Sequence, residues 1–128
     1  MGVRLARLFF GFSALYDLVL GVAFLLFWRE IYRLGNVTLP GHPIYIQFPS
    51  LLMMIVAVMF FRVAQNPRES RELMLYGAAL KASFVGLIFW HTFQHTVPPF
   101  WFTFGCLDSV LLAGFLAAWR LTPPPSAS

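Results

Sequence analysis

Three ionisable side chains interrupt otherwise apolar stretches of the sequence and are the first candidates for chemistry. Asp17, Lys81 and Asp108 each lie well inside a run of hydrophobic residues. Counted in helical rise from the tryptophans that end those runs, all three fall near one depth. Because an unpaired charge in a hydrophobic environment is costly, we predict that Lys81 bridges both carboxylates.

This predicted cluster contains two acids and one base, which leaves one negative charge without a partner. Either one carboxylate is protonated, or a hydroxyl group donates to it, or a cation binds there. The nearby hydroxyl groups belong to Ser13, Tyr16, Ser83 and Ser109. Two interpretations stay open: a site for a proton or a lipid-soluble ligand, and a structural contact that orients helices.

Histidines form a second set of candidates. His91 and His95 are four residues apart and are expected to share one helix face, with His42 on the same side of the protein as a third ligand. Such a set suits zinc, copper or, with a partner helix, haem. The alternatives are polar contacts with loop carbonyls and water, and a proton or quinone role. No cofactor is required by the sequence.

The composition indicates which elements must position these residues. The chain has 128 residues, of which 59% are hydrophobic and only 11% are charged. Soluble domains carry about 25% charged residues, so this chain is typical of proteins in lipid and not of soluble enzymes. Four apolar stretches have the length that a membrane-spanning helix needs. They cover residues 8–28, 44–61, 73–93 and 100–119.

The basic residues predict the orientation of these spans. Six of them lie at the ends of the spans that would share one side of the membrane, and only Arg29 and Arg33 lie at the other side. The positive-inside rule then places both termini in the cytoplasm. The same orientation puts Trp28, Trp90 and Trp101 at the outer interface and Trp119 at the inner interface. Basic residues at helix ends do not indicate a nucleic-acid partner.

We therefore predict an all-α integral membrane four-helix bundle with both termini cytoplasmic. Residues 1–121 would form a single four-span domain, and residues 122–128 a Pro-rich tail. The connection at residues 29–43 contains glycines and prolines, so we expect turns and extended chain there.

Short motifs spread over the sequence carry a family resemblance. They are Arg4 and Arg7 before the first span, the segment Tyr-Asp-Leu-x-Leu-Gly at 16–21, the segment His-Pro-x-Tyr-x-Gln-Phe-Pro at 42–49, and Lys81. Together they resemble small four-span bacterial inner-membrane proteins of the DoxX-like kind. The resemblance implies a four-helix bundle in the inner membrane, in some cases associated with redox complexes, and it carries over no catalytic residue.

Three functions are compatible with these features. The sequence contains no catalytic Ser-His-Asp arrangement, phosphate-binding loop or HExxH motif, so these motifs give no indication of an enzyme. The first is a non-catalytic integral subunit that packs against a larger membrane complex, of which an energy-converting or redox complex is one example. The second is a self-sufficient binder or carrier of a lipid-soluble or protonic ligand at Asp17, Lys81 and Asp108. The third is a small haem or metal redox protein that uses His91 and His95.

Overall fold

The computed structural model describes residues 1–125, which form four helices joined by short connections. Each helix is long and apolar enough to cross a membrane, and the prediction of an all-α four-helix protein is confirmed. The final residues of the predicted Pro-rich tail, 126–128, lie outside the described residues. The helices are α1 (Gly2–Leu34), α2 (Ile44–Gln65), α3 (Arg71–Phe93) and α4 (Pro99–Leu121).

The helices pack in a ring in which each helix contacts the two helices beside it. α1 packs against α2 and α4, and α3 packs against α4 and, least extensively, α2. Within residues 1–125, the diagonal pairs, α1 with α3 and α2 with α4, make no close backbone contact. Side chains of α1 and α3 can therefore meet only if they are long enough to reach the centre of the bundle.

The two ends of the bundle differ in chemistry. At one end the first residues of α1 and α3 meet the last residues of α2 and α4; we call it the basic end, because its charged residues include Arg4, Arg7, Arg62, Arg68, Arg71 and Arg120. At the opposite end, which we call the aromatic end, Tyr32, Tyr45 and Trp101 lie near the helix termini. The alternating directions of the four helices thus place the arginines at one end of the bundle and these aromatic residues at the other.

The first helix is longer than the sequence predicts. α1 continues to Leu34, with one non-helical residue at Phe27, so the expectation of turns and extended chain is wrong for residues 29–34. Aromatic contacts support this extension, because the Tyr32 ring lies 5.9 Å from that of Trp101 and 6.3 Å from that of Phe24. Packing of this kind outweighs the local preference of the chain.

Three phenylalanines fill the half of the bundle next to the basic end. Phe10 stacks on Phe115 with ring centroids 3.9 Å apart, and Phe60 meets both rings edge-on. All three are fully buried. Gly77 of α3 makes room for them, since a Cβ at this position would lie 2.7 Å from Phe60 Cε1. We call Phe10, Phe60 and Phe115 the aromatic core.

Arginine side chains hold the end of α4 at the basic end. Arg71 Nε donates a 2.9 Å hydrogen bond to the Thr122 carbonyl, and its guanidinium lies 4.5 Å from the centre of the Trp119 ring. Arg68 donates to the Pro124 carbonyl over 3.1 Å. These contacts satisfy the carbonyl of the C-cap residue Thr122 and a carbonyl of the segment that follows α4.

Candidate functional site

Lys81 contacts both aspartates at the centre of the bundle. Its Nζ lies 3.1 Å from Asp17 Oδ1 and 3.2 Å from Asp17 Oδ2, and it lies 3.2 Å from Asp108 Oδ1. The structure thus brings together the three ionisable residues that the sequence singles out. We call Asp17, Lys81 and Asp108 the Lys81 cluster.

The two aspartates are not equivalent. Both oxygens of Asp17 accept from Lys81, and only 3% of the Asp17 side chain is exposed. Asp108 uses one oxygen, and 10% of its side chain is exposed. Among the described residues, no group donates a hydrogen bond to Asp108 Oδ2. Asp108 therefore keeps an acceptor atom available.

Helix geometry explains why a lysine is the residue that joins this cluster. α1 and α3 lie on a diagonal of the bundle, where their backbones are too far apart for close contact. The four-carbon stem of lysine spans this gap and places the ammonium group between two carboxylates. Asp108, on α4 beside both α1 and α3, meets the same group from the side.

The hydroxyl groups considered as donors to the spare carboxylate do not reach it. Ser83 donates to Ala79 O and Ser109 donates to Gly105 O, each one helical turn back. Within the described part of the chain, the buried hydroxyls of Ser13 and Tyr16 have no hydrogen-bond partner. The excess of acids over bases in the Lys81 cluster is therefore not offset by a neighbouring hydroxyl.

A cavity of about 370 Å³ lies between the Lys81 cluster and the aromatic end. Its inner end is formed by the three residues of the cluster. Its walls are mostly apolar and include seven aromatic side chains: Tyr16, Phe24, Tyr32, Tyr45, Phe84, Trp101 and Phe104. The volume lies within the range of small-molecule sites, which combine apolar walls with a few polar groups in the same way.

The cavity has one closed end and one open side. The aromatic core packs behind the Lys81 cluster and fills the bundle toward the basic end. On the lateral surface of the bundle, α2 and α3 make the least extensive contact of any neighbouring helices. Leu52 of α2 and Leu80 of α3 both line the cavity and are exposed. We infer that the cavity opens between α2 and α3.

Regular helical spacing links the cluster to the cavity walls. Leu20 and Phe24 follow Asp17 at intervals of three and seven residues, and Trp101 and Phe104 precede Asp108 at seven and four residues. These intervals place the residues on the same helix face as the acid. The aromatic walls were missed from the sequence, although counting along the helix from each aspartate would have found three of the seven rings, those of Phe24, Trp101 and Phe104.

The histidines do not form the ligand set that the sequence suggested. α3 ends at Phe93, and His95 lies beyond it with a positive φ of 56°, so His91 and His95 do not share a helix face. His91 Nδ1 contacts Thr96 Oγ1, and His42 Nδ1 accepts from the Ile44 amide. Nowhere in residues 1–125 do three His, Cys, Asp or Glu side chains lie in a position to hold a metal ion.

The tryptophans lie near the helix ends, as their expected role at a membrane interface requires. Trp28, Trp90 and Trp101 lie toward the aromatic end, and Trp119 lies toward the basic end. Trp101 has a further role that was not expected, because it lines the cavity and stacks on Phe24 with ring centroids 6.0 Å apart.

With the fold and the site described, the protein belongs to the broad class of helical proteins whose helices are apolar enough to span a membrane four times. Comparison with protein-family models, with curated proteins and with solved structures finds no match for this chain.

Proposed function

We propose that this chain is a multi-pass membrane protein that binds a small amphipathic molecule. The apolar body of the ligand would occupy the cavity, and its polar head would meet the Lys81 cluster. The observation that carries the proposal is the position of an aromatic-walled cavity of about 370 Å³ directly against buried polar side chains. Apolar walls with a few polar groups at one end are what an amphipathic ligand requires.

The proposed membrane orientation follows from the charges. The basic end holds six arginines, whereas Arg29 and Arg33 alone lie near the aromatic end. The positive-inside rule favours a cytoplasmic basic end, which would place the cavity in the half of the bundle nearer the outer leaflet. An opening between α2 and α3 would then admit a lipid-soluble molecule sideways from the bilayer.

A purely structural role for the Lys81 cluster accounts for less of the molecule. An ion pair that only orients helices needs the three side chains and close packing around them, as protein interiors normally have. It does not need a cavity beside the charges. The exposed apolar faces suit lipid and a partner subunit equally, so they do not favour a role as a subunit of a larger complex over ligand binding.

Binding to a cavity-blocked variant tests this proposal. Met53→Trp would place a large ring in the cavity, whereas Val58→Trp adds the same bulk to the exposed face of the same helix. The purified chain would be placed in phosphatidylcholine nanodiscs and titrated calorimetrically with 4-phenyl-1-butanol. Empty nanodiscs would correct for partition of the alcohol into lipid.

We expect saturable binding to the native chain and to Val58→Trp, and binding at least ~10-fold weaker to Met53→Trp, because the added ring excludes the phenyl group. Circular dichroism of both variants would check that the helices remain. Equal binding by the two tryptophan variants, or no saturable binding to the native chain, would overturn the proposal.

A further inference from the structure

We infer that the ligand carries a positively charged amine group, which binds at Asp108 beside Lys81. This inference rests on the proposed function and specifies the class of ligand. It combines three observations of the site: an excess of negative charge, an acceptor atom without a donor, and aromatic walls around the place where the head of the ligand would lie.

Charge is the first observation. Of the residues that line the cavity, Asp17, Lys81 and Asp108 are the acidic and basic ones, and their formal charges sum to −1. The hydroxyl groups of Ser83 and Ser109 donate to their own helices and do not compensate the surplus. Among mostly apolar walls, a ligand of charge +1 would balance the acids.

Hydrogen bonding shows where such a charge would be held. The contacts of Lys81 occupy both oxygens of Asp17 and Oδ1 of Asp108. Oδ2 of Asp108 receives no hydrogen bond from the described residues, and Asp108 is the more exposed of the two acids at the wall of the cavity. An ammonium group can donate to this atom, whereas a carboxylate cannot.

The aromatic walls suit a cation. Phe84 follows Lys81 by one helical turn and Phe104 precedes Asp108 by one turn, and both line the cavity. The ammonium of Lys81 already lies 5.7 Å from the ring centres of Tyr16 and of Phe60. Ring faces attract cations, and aromatic cages are a common means of binding organic ammonium ions.

A series of ligands with one body and three head groups tests the inference. 4-Phenylbutylamine is a cation at neutral pH, 4-phenyl-1-butanol is neutral and 4-phenylbutyrate is an anion. Each would be titrated into the native chain in nanodiscs of uncharged phosphatidylcholine, with empty nanodiscs as the blank. We expect the amine to bind at least ~10-fold more tightly than the alcohol, and the carboxylate to bind most weakly.

Two variants then locate the preference. Asp108→Asn leaves Lys81 and Asp17 as a balanced pair of charges, so we expect the amine to lose its advantage over the alcohol. Asp108→Glu keeps the charge and should keep the preference. Ser109→Ala is the matched control beside Asp108, since the hydroxyl of Ser109 bonds within α4 and does not line the cavity.

The outcomes separate this inference from the proposed function. Binding of the alcohol as tight as that of the amine, or an amine preference that survives in Asp108→Asn, would overturn the inference and leave ligand binding in the cavity intact. Failure of all three compounds to bind the native chain would overturn the proposed function. The comparison of head groups on the native chain decides even if a variant does not fold.

Discussion

The Lys81 cluster predicts an ordered series of stability changes. Lys81→Met removes three contacts of 3.1 to 3.2 Å and leaves two buried carboxylates without their cationic partner. Loss of one partner from a buried ion pair costs about 3–5 kcal/mol, and we expect this full cost here. The change should reduce the free energy of unfolding more than any other single substitution in the cluster.

The aspartate variants should be milder and unequal. Asp17→Asn weakens two hydrogen bonds to a charged donor and should cost about 1.5–3 kcal/mol. Asp108→Asn weakens only one such bond, and its side chain is more exposed, so about 1 kcal/mol is expected. In both variants one lysine and one aspartate remain, and the charges stay balanced.

Combining substitutions gives the sharpest test. In the Lys81→Met background, Asp17→Asn removes a buried carboxylate that has lost its partner, so it should stabilise the protein by at least about 1 kcal/mol. The same substitution destabilises the native chain. Reversible unfolding by dodecyl sulfate in mixed micelles, followed by helical circular dichroism, measures all four proteins. If Asp17→Asn destabilises both backgrounds equally, the assumed coupling between Lys81 and Asp17 is absent.

Three further predictions concern the rest of the fold. Gly77→Ala should destabilise the protein by about 1–3 kcal/mol because its Cβ would lie 2.7 Å from Phe60 Cε1. Gly86→Ala should be neutral or stabilising, because a Cβ there would meet no neighbouring side chain within 4 Å. Thermal unfolding midpoints compare the two variants, and equal midpoints would contradict the packing described. Arg71→Met should cost about 1–2 kcal/mol by removing the bond to the Thr122 carbonyl and the contact with Trp119, and an unchanged unfolding midpoint would contradict this stabilising role. In a Cys106→Ser background, an impermeant maleimide should label His95→Cys in intact spheroplasts and Glu69→Cys only after lysis, and the reverse pattern would invert the proposed orientation.

Depth along a helix was predictable from the sequence, because it depends only on counting residues. The rise per residue and the positions of the tryptophans placed Asp17, Lys81 and Asp108 at one level, and the structure brings them together. The apolar stretches likewise indicated four helices. Both inferences use one dimension of the molecule.

Features that depend on packing between helices could not be obtained by counting. The cavity is lined by residues of all four helices, and α2 and α3 make the least extensive contact among neighbouring helices; no local sequence pattern encodes either feature. The extension of α1 through Tyr32 depends on aromatic contacts with distant Trp101. The expected pairing of His91 with His95 failed for a local reason: α3 ends at Phe93, and its spacing rule ends with it.

The aromatic core determines the direction in which the proposed ligand can be exchanged. Phe10 and Phe115, with ring centroids 3.9 Å apart, close the bundle behind the Lys81 cluster. In the proposed orientation, a molecule that enters from the outer leaflet must also leave to that leaflet. Occupancy of the site would then follow the composition of one leaflet only. Transfer to the other leaflet would require these rings to separate.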